Sequence, residues 1–539
     1  MRTETKPRLQ LTTAVVASGY LIAAIIVLHR LWADPNGRYL SDGGQDQEQW
    51  QWFFDVTAHQ VLHGQNPLFT TLLNHPDGVN LMANTTMPGL SIPLIPVTVL
   101  LGSGFTWAIV LTLGLAGTAF AWFWMFSRRL ASTAAAAVGG LFCGFAPAMI
   151  SHANAHPNFV VLAVIPCLLL PRPPGRRTAV VLGLLIAYQL FLGEEVLLLA
   201  ATGLAVFAPV YACIRPWKAL ARRYAATIAG GGLLAVTLTA LPLLWQFFGP
   251  QSVRSLIHGP AGNSLDAFTA FSTRSLVGDA AQARQLSMNR TEENAFFGWP
   301  LVLLVLGLLV AVRKRPLVRV FGITTLLIAW LSMTPGPWAL VARLPLYESV
   351  IESRLAMVCI PLIGALLALG IDRLRAVGAE PFRRLGYGVI AAALLPIVPT
   401  PLVTVDRAPV PKFFADGTWR QYVRPGRTVV PAPPPDPANA RAMSWQSEAS
   451  FGFAEPEGYF IGPDGYGAAP RPTATLMRQV AIGGECVIDP AQVDADLRYW
   501  QADAVVLESD RGQLRGCLDQ LLGPGIFVGG VWVWPLERG

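Results

Sequence analysis

Charge is scarce in this chain. Of its 539 residues only 14% are Asp, Glu, Lys or Arg, while 53% are hydrophobic, and the mean hydropathy of +0.46 exceeds what a soluble domain of this length carries. Cysteine is also rare, six in all, and no CxxC or Cys/His spacing suggests a zinc site. Four of the six, Cys143, Cys167, Cys213 and Cys359, fall in apolar runs; Cys486 and Cys517 share the C-terminal region, where a disulfide and two free thiols are equally compatible with the spacing. There is no P-loop, dinucleotide fingerprint or nucleophile elbow. Lysine is nearly missing, four of forty basic residues, and with abundant Ala, Gly and Pro this has the look of a high-G+C bacterial coding sequence.

The charge that is present is sorted by sign. Twenty of the forty Lys and Arg residues, but three of the thirty-three Asp and Glu, lie in six short segments between long apolar runs: Arg2/Lys6/Arg8, Arg128/Arg129, Arg172/Arg176/Arg177, Arg215/Lys218/Arg222/Arg223, Arg313/Lys314/Arg315/Arg319 and Arg373/Arg375/Arg383/Arg384. Short basic loops stay cytoplasmic because translocating them is unfavourable. The pattern closes with spans near 11–31, 105–126, 132–150, 159–171, 179–193, 195–213, 225–246, 297–312, 317–333, 355–371 and 386–403. Eleven crossings place the N-terminus inside and the C-terminus outside. Several runs fall short of the ~20 residues that cover a ~30 Å hydrocarbon core. The first has no small-residue cleavage site before Arg30 and reads as a retained anchor. The Pro-punctuated stretch 86–103 is expected to lie at the outer interface, because a crossing there would invert every later basic loop. The pI near 9.2 then serves orientation and anionic headgroups, not nucleic acid.

This expectation is a polytopic α-helical membrane protein of about eleven spans, residues 1–404, with a first outer loop at 32–104 and an extracytoplasmic domain at 405–539. The latter begins Pro-rich; β-type runs at Thr428-Val-Val, Ala504-Val-Val-Leu and Ile526 to Trp534, with a helical stretch Asp510 to Leu522, make it a small α/β module.

Four outer regions carry chemistry. In the first loop, Gly43 and Gly44 break the chain, and Asp42, Asp46, Glu48 and Trp50 surround the start of a helix expected to lie flat with its aromatics at headgroup level. Asp42 and Asp46 either cap that helix or serve a site. His152 and His156, spaced i, i+4, could share a helix face and bind phosphate or a metal; no Glu between them makes an HExxH arrangement. Glu194 and Glu195 sit at a turn inside some 35 apolar residues, as a solvated tip or as functional carboxylates. Arg354 precedes a span and suits bidentate phosphate binding, or a salt bridge to Glu348 or Glu352. The loop 247–296, with Arg254, His258, Arg274, Arg290, Glu292 and Glu293, shows nothing diagnostic.

With a first span, an acidic outer loop bearing Asp42, Asp46 and Glu48, the stretch Pro88 to Gly104, the run Trp107 to Phe126, the turn Ser127-Arg-Arg-Leu130 and the Ala-rich span ending Phe145-Ala-Pro147, residues 11–170 resemble the GT-C glycosyltransferases of bacterial membranes. Leu344-Pro345 to Arg354 is similar more loosely. The resemblance implies transfer of a hexosyl or pentosyl unit from a polyprenyl-phosphate donor to a glycan, lipid or protein acceptor of the cell envelope, with a loop-1 carboxylate as base. Asp46 is the first choice for that base. Asp42 or Glu48 would instead hold a divalent cation, Mg or Mn, bridging the lipid phosphate. Gln47 to Trp52 would line the sugar site, and Arg354, His152 and His156 the phosphate. Two other classes compete: a transporter or flippase, opposed by the near absence of mid-span ionisable residues and of inverted repeats, and a non-catalytic envelope scaffold.

Overall fold

A computed structural model describes residues 5–256, 259–375, 377, 379–508 and 512–536. Arg2, His258 and Asp510 of the sequence reading lie outside them. All eleven apolar runs are helical at least in part, because a backbone in hydrocarbon must satisfy its own N–H and C=O groups. Five helices are long and apolar enough to cross a membrane: Thr12–Trp32, Ser103–Ser127, Glu194–Ile214, Lys218–Phe248 and Glu352–Leu374. Thr133–Phe145, Pro157–Leu169, Trp299–Ala311 and Pro316–Leu331 are shorter apolar helices. The stretch 86–103 folds as two short helices, Pro88–Ser91 and Ile95–Leu101. At 1.5 Å per residue neither piece approaches the thickness of a bilayer.

The chain divides into two compact units. The first comprises 1–43, 107–239 and 255–405, the second 44–106, 240–254 and 406–539. One boundary falls between 405 and 406, and residues 44–104 of the first outer loop are in the second unit.

In the first unit the helices Ser103–Ser127 and Glu352–Leu374 are mostly buried, whereas Glu194–Ile214 and Lys218–Phe248 are mostly exposed on apolar faces. Small residues bring the inner helices close. A Cβ on Gly139 would lie 2.8 Å from the Gly364 carbonyl oxygen, and one on Gly140 2.7 Å from that of Ala119. Lipid tails are as apolar as leucine, so close van der Waals packing of this kind is what holds such helices together. Proline then ends the span where the site begins. Ala146 is extended before Pro147, which restarts a short helix, Pro147–His152, and Pro157 opens the 3-10 turn Pro157–Phe159. A further 3-10 segment, Glu352–Val358, leads into the helix Cys359–Leu374.

In the second unit, strands β1 (Thr428–Pro431), β2 (Ala502–Leu507), β3 (Ile526–Val528) and β4 (Val531–Pro535) form one sheet in the order β1-β2-β4-β3. β1 runs parallel to β2, and β4 antiparallel to both neighbours. Both faces are covered, and the pleat sorts the side chains between them. Val505 and Leu507 pack with Leu497, Trp500 and Leu518 on one face, while Ala504 and Val506 pack with Phe413, Trp445 and Phe453 on the other. Cys486 and Cys517 form a disulfide with Cα atoms 5.6 Å apart.

The helix Gly44–Leu62 also belongs to the second unit, and its aromatics do not face headgroups. Trp50, Trp52, Phe53 and Phe54 are all buried; Trp50 packs edge-on against Phe53, and the Trp52 indole N–H donates to Gln446 Oε1 at 2.8 Å. Polar residues alternating with the aromatics hide this burial from a sequence reading, since they too are covered: Gln47, Glu48, Gln51 and Gln60 are all buried.

Candidate active site

In the first unit, polar side chains from four segments converge around Arg354. The Pro147 break places His152 at the end of its short helix and His156 just beyond it, with the two Nδ1 atoms 3.0 Å apart. His152 Nε2 donates to Asn294 Oδ1 at 2.8 Å, because the Asn294 amide nitrogen is itself spent on Glu292 Oε2 (2.9 Å) and Ser353 Oγ (3.1 Å). Arg354, in the 3-10 segment, donates its Nε to Glu292 (3.1 and 3.2 Å) and its Nη2 to the same carboxylate. Its Nη1 donates to Glu195 Oε2 at 2.6 Å, and its guanidinium lies 4.7 Å over the Phe159 ring. Arg354 is thus a part-buried clamp between two glutamates, neither of them Glu348 or Glu352. Glu352 Oε1 is occupied by the Ala261 amide and the Thr334 hydroxyl, each at 2.9 Å.

Burial alone would keep Glu292 neutral, but the Arg354 guanidinium, with His152 and His156, overcomes that penalty and holds the carboxyl well below its ordinary range. Burial and the Arg354 charge together push His152 down to about 4, and His156 is lowered for the same reasons. Both imidazoles are therefore neutral at physiological pH.

A second ion-pair group stands on the same loop. Asp42, its side chain only 1% exposed, receives Arg290 Nη1 at 2.8 Å, Arg274 Nε at 2.8 Å and Arg274 Nη2. Close approach sets its place: a Cβ on Gly43 would lie 2.4 Å from the Asn154 carbonyl oxygen, so residues 41–43 press onto the histidine segment. Ser151 ties the 290–293 stretch to that segment, donating its hydroxyl to the Arg290 carbonyl (2.8 Å) and accepting the Glu293 amide (3.0 Å). Glu293 accepts from the Thr273 amide at 2.8 Å, and burial pushes its carboxyl up to about 7.

Of the residues singled out from sequence, His152, His156, Glu195, Arg354 and Asp42 belong to this unit. Glu194 opens the helix Glu194–Ile214 beside Glu195 and is half-buried. Asp46, Glu48 and Trp50 belong to the second unit. There Asp46 sits in the first helical turn and accepts the Tyr459 hydroxyl at 2.7 Å. Glu48 lies 3.4 Å from Arg407, and burial, ahead of that cation, pushes it up to about 7. Both oxygens of Asp42 accept from Arg274 and Arg290, so a divalent cation there would take the place of an arginine N–H. A different group does have metal-binding character. His152, His156 and Glu292 bring ligand atoms within 4.8 Å of one another, a nitrogen-rich set suited to softer divalent ions than Mg.

Sequence reasoning passed over Arg274, Arg290, Glu292, Glu293 and Asn294. One signal was available: Thr291-Glu-Glu-Asn294 places adjacent carboxylates just before an apolar run, as Gly193-Glu-Glu195 does.

No family model matches the chain, and no curated protein does. Solved structures do. The arabinofuranosyltransferase AftD from Mycobacteria, seen by cryo-electron microscopy, superposes with a TM-score of 0.56 at 15% identity over 98% of this chain; the chain spans 40% of AftD's length. The archaeal oligosaccharyltransferase AglB from Archaeoglobus fulgidus, with an inhibitory peptide and a dolichol-phosphate, gives 0.46 at 14% identity over 94% of this chain and 70% of that one. The likeness to AftD is one of fold, and it extends over nearly the whole length of this chain.

Proposed function

We propose that the chain is an integral membrane glycosyltransferase that moves a sugar from a polyprenyl-phosphate donor to a cell-envelope acceptor on the outer face of a bacterial plasma membrane. The observation that carries this reading is the arginine-rich ion-pair group around Asp42 in a chain with the AftD fold. Arg290 is anchored through one N–H by a buried carboxylate, yet 38% of its side chain is exposed. A guanidinium fixed at one corner and open at the others suits phosphate oxygens. Arg290, aided by Arg274 and the neutral His156, is assigned to the donor phosphate. Arg354 is assigned a positioning role, holding Glu292 and Glu195.

Asp46 is assigned as the base. The helix N-terminus favours its ionised form, and the Tyr459 hydroxyl fixes one oxygen. The acceptor hydroxyl gives its proton to this carboxylate as its oxygen bonds to the anomeric carbon; the bond from that carbon to the phosphate oxygen breaks, and the electron pair leaves on the phosphate. A divalent ion held by His152, His156 and Glu292 would supply further neutralisation of the leaving group.

The test incubates purified protein with a panel of radiolabelled polyprenyl-phosphate sugars and follows loss of label from the lipid. Wild type should release label from one donor, and Arg290→Ala should raise the donor KM at least about tenfold, the worth of one charge-assisted hydrogen bond. Release by no donor in the panel, or an unchanged KM in the variant, speaks against the assignment.

A further inference from the structure

In the first unit an open cavity of about 410 Å³ lies between the short helices Leu265–Thr269 and Ala280–Leu286 and the start of the apolar helix Trp299–Ala311. That volume is within the range of small-ligand sites. Ala267, Ala270 and Ala283 pack with Phe296 in one buried cluster, which fixes the two short helices in place. Asp266 from the first, Gln282, Gln285 and Leu286 from the second, and the rings of Phe271 and Trp299 line the cavity. Asp266, Gln282, Gln285 and Trp299 are all exposed. Among the described residues none of these four side chains has a hydrogen-bond or ion-pair partner, so a carboxylate, two carboxamides and an indole N–H are free to meet a ligand. No lysine or arginine lines the cavity. Arg284 is on the second short helix, but 282, 285 and 286 share a face there and 284 does not. A separate observation is continuity with an apolar stripe. Trp299, Leu303, Leu306 and Val310 recur at i, i+4, i+7 and i+11, on one side of their helix, and are between 44% and 64% exposed. The stripe starts at the cavity and runs towards Arg313, Lys314 and Arg315.

We infer that this cavity holds the headgroup of a phospholipid bearing a primary ammonium, with the acyl chains along the stripe. The charge rule keeps Arg313 to Arg315 inside, so the cavity, at the other end of that helix, stands at the outer headgroup level. Ammonium N–H groups donate to the Asp266 carboxylate and the glutamine carbonyl oxygens, and the exposed Trp299 ring offers the same cation its face. The indole N–H and the glutamine NH2 groups are left for the phosphodiester. An anionic headgroup would set its charge against Asp266 with no cation to meet it, and a trimethylated ammonium has no N–H to give. A soluble phosphoethanolamine ester shares the headgroup chemistry; the exposed stripe is what selects the lipid. The inference rests on this helix facing lipid and not on glycosyl transfer.

Native mass spectrometry of the full chain in an uncharged detergent, titrated with phosphatidylethanolamine, tests it. Phosphatidylcholine, phosphatidylglycerol and N-acetylated phosphatidylethanolamine with the same acyl chains are the comparisons, and glycerophosphoethanolamine supplies the headgroup without chains. Phosphatidylethanolamine should bind at least about tenfold more tightly than each comparison, the worth of one charge-assisted hydrogen bond. Asp266→Asn should remove most of that preference and Trp299→Ala should weaken phosphatidylethanolamine binding, while Arg284→Ala changes neither. These side chains are exposed, so the variants should keep the wild-type thermal midpoint. Equal affinity for the four lipids, a preference that survives Asp266→Asn, or glycerophosphoethanolamine bound as tightly as the lipid would overturn the inference. Selective lipid binding with no label released in the donor assay would retain this site and remove the enzymatic reading.

Discussion

Glu292 in the first unit and Glu48, Asp55 and Glu455 in the second are all covered carboxyls, yet their ionisation is shifted in opposite directions. Glu292 meets a guanidinium through both oxygens and ionises readily. Burial dominates for the others: Glu48 is pushed up to about 7, Asp55 to about 6 despite its bond from Ser103, and Glu455, with neither oxygen partnered among the described residues, to about 8. Depth below the surface does not decide ionisation here. The placement of a cation does. A group charged only because a partner is present depends on that partner for stability; a group kept neutral by burial depends on pH.

The largest expected effect follows from removing the cation of the first unit. Arg354→Met strands Glu292 and Glu195 and should cost about 3–5 kcal/mol, read as a large drop in thermal midpoint in detergent. Adding Glu292→Gln should recover much of it; a double variant no more stable than the single would show that pairing is not what holds this region. Next comes Asp46→Asn, which keeps size and the Tyr459 contact but removes the proton acceptor. Turnover should fall at least ~10²-fold, or about 2.7 kcal/mol of barrier, with the thermal midpoint unchanged, whereas a folding defect would make Asp46 a helix-start residue.

Glu455 supplies the pH test. Its folded value near 8 lies above the ordinary 4.5, so the native state binds the extra proton; the stability this confers is present below pH 4.5 and lost as pH rises through 8. Wild type should therefore lose about 4 kcal/mol between pH 5 and 8.5 through this group, and Glu455→Gln should flatten the decline in a pH series of thermal melts. The smallest effect belongs to Arg407→Met. Glu48 can take up a proton when its cation goes, so the cost at pH 6 should be only about 1 kcal/mol; a loss matching that of Arg354→Met would erase the contrast between the two regions.

Legibility followed period and sign. The eleven apolar runs and the strands at 428, 504 and 526 announce themselves, since an unbroken apolar stretch or a β-branched run has few other ways to satisfy its backbone. His152 and His156 were legible as a pair because four residues nearly complete a helical turn, even though the helix ends at His152. Trp50 was misplaced at the lipid surface: an aromatic helix interleaved with Gln and Glu looks amphipathic whether its polar groups meet water or are hydrogen-bonded inside. Arg354 was recognised, but given the wrong partners, because the nearest carboxylates in sequence, Glu348 and Glu352, are not the nearest in space.

What the sequence determined alone was local: which stretches are apolar enough to be helices, where Pro147 interrupts one, which acids lie outside the short basic loops, and that Asp46 lies at the start of a helix. What tertiary structure decided was the charge pairing of the candidate site. Arg354 with Glu195 and Glu292, and Asp42 with Arg274 and Arg290, join residues 62 to 248 positions apart. Ion pairing in a low-dielectric interior depends on separations of a few ångströms, and sequence distance carries no information on that scale once the chain has folded back on itself.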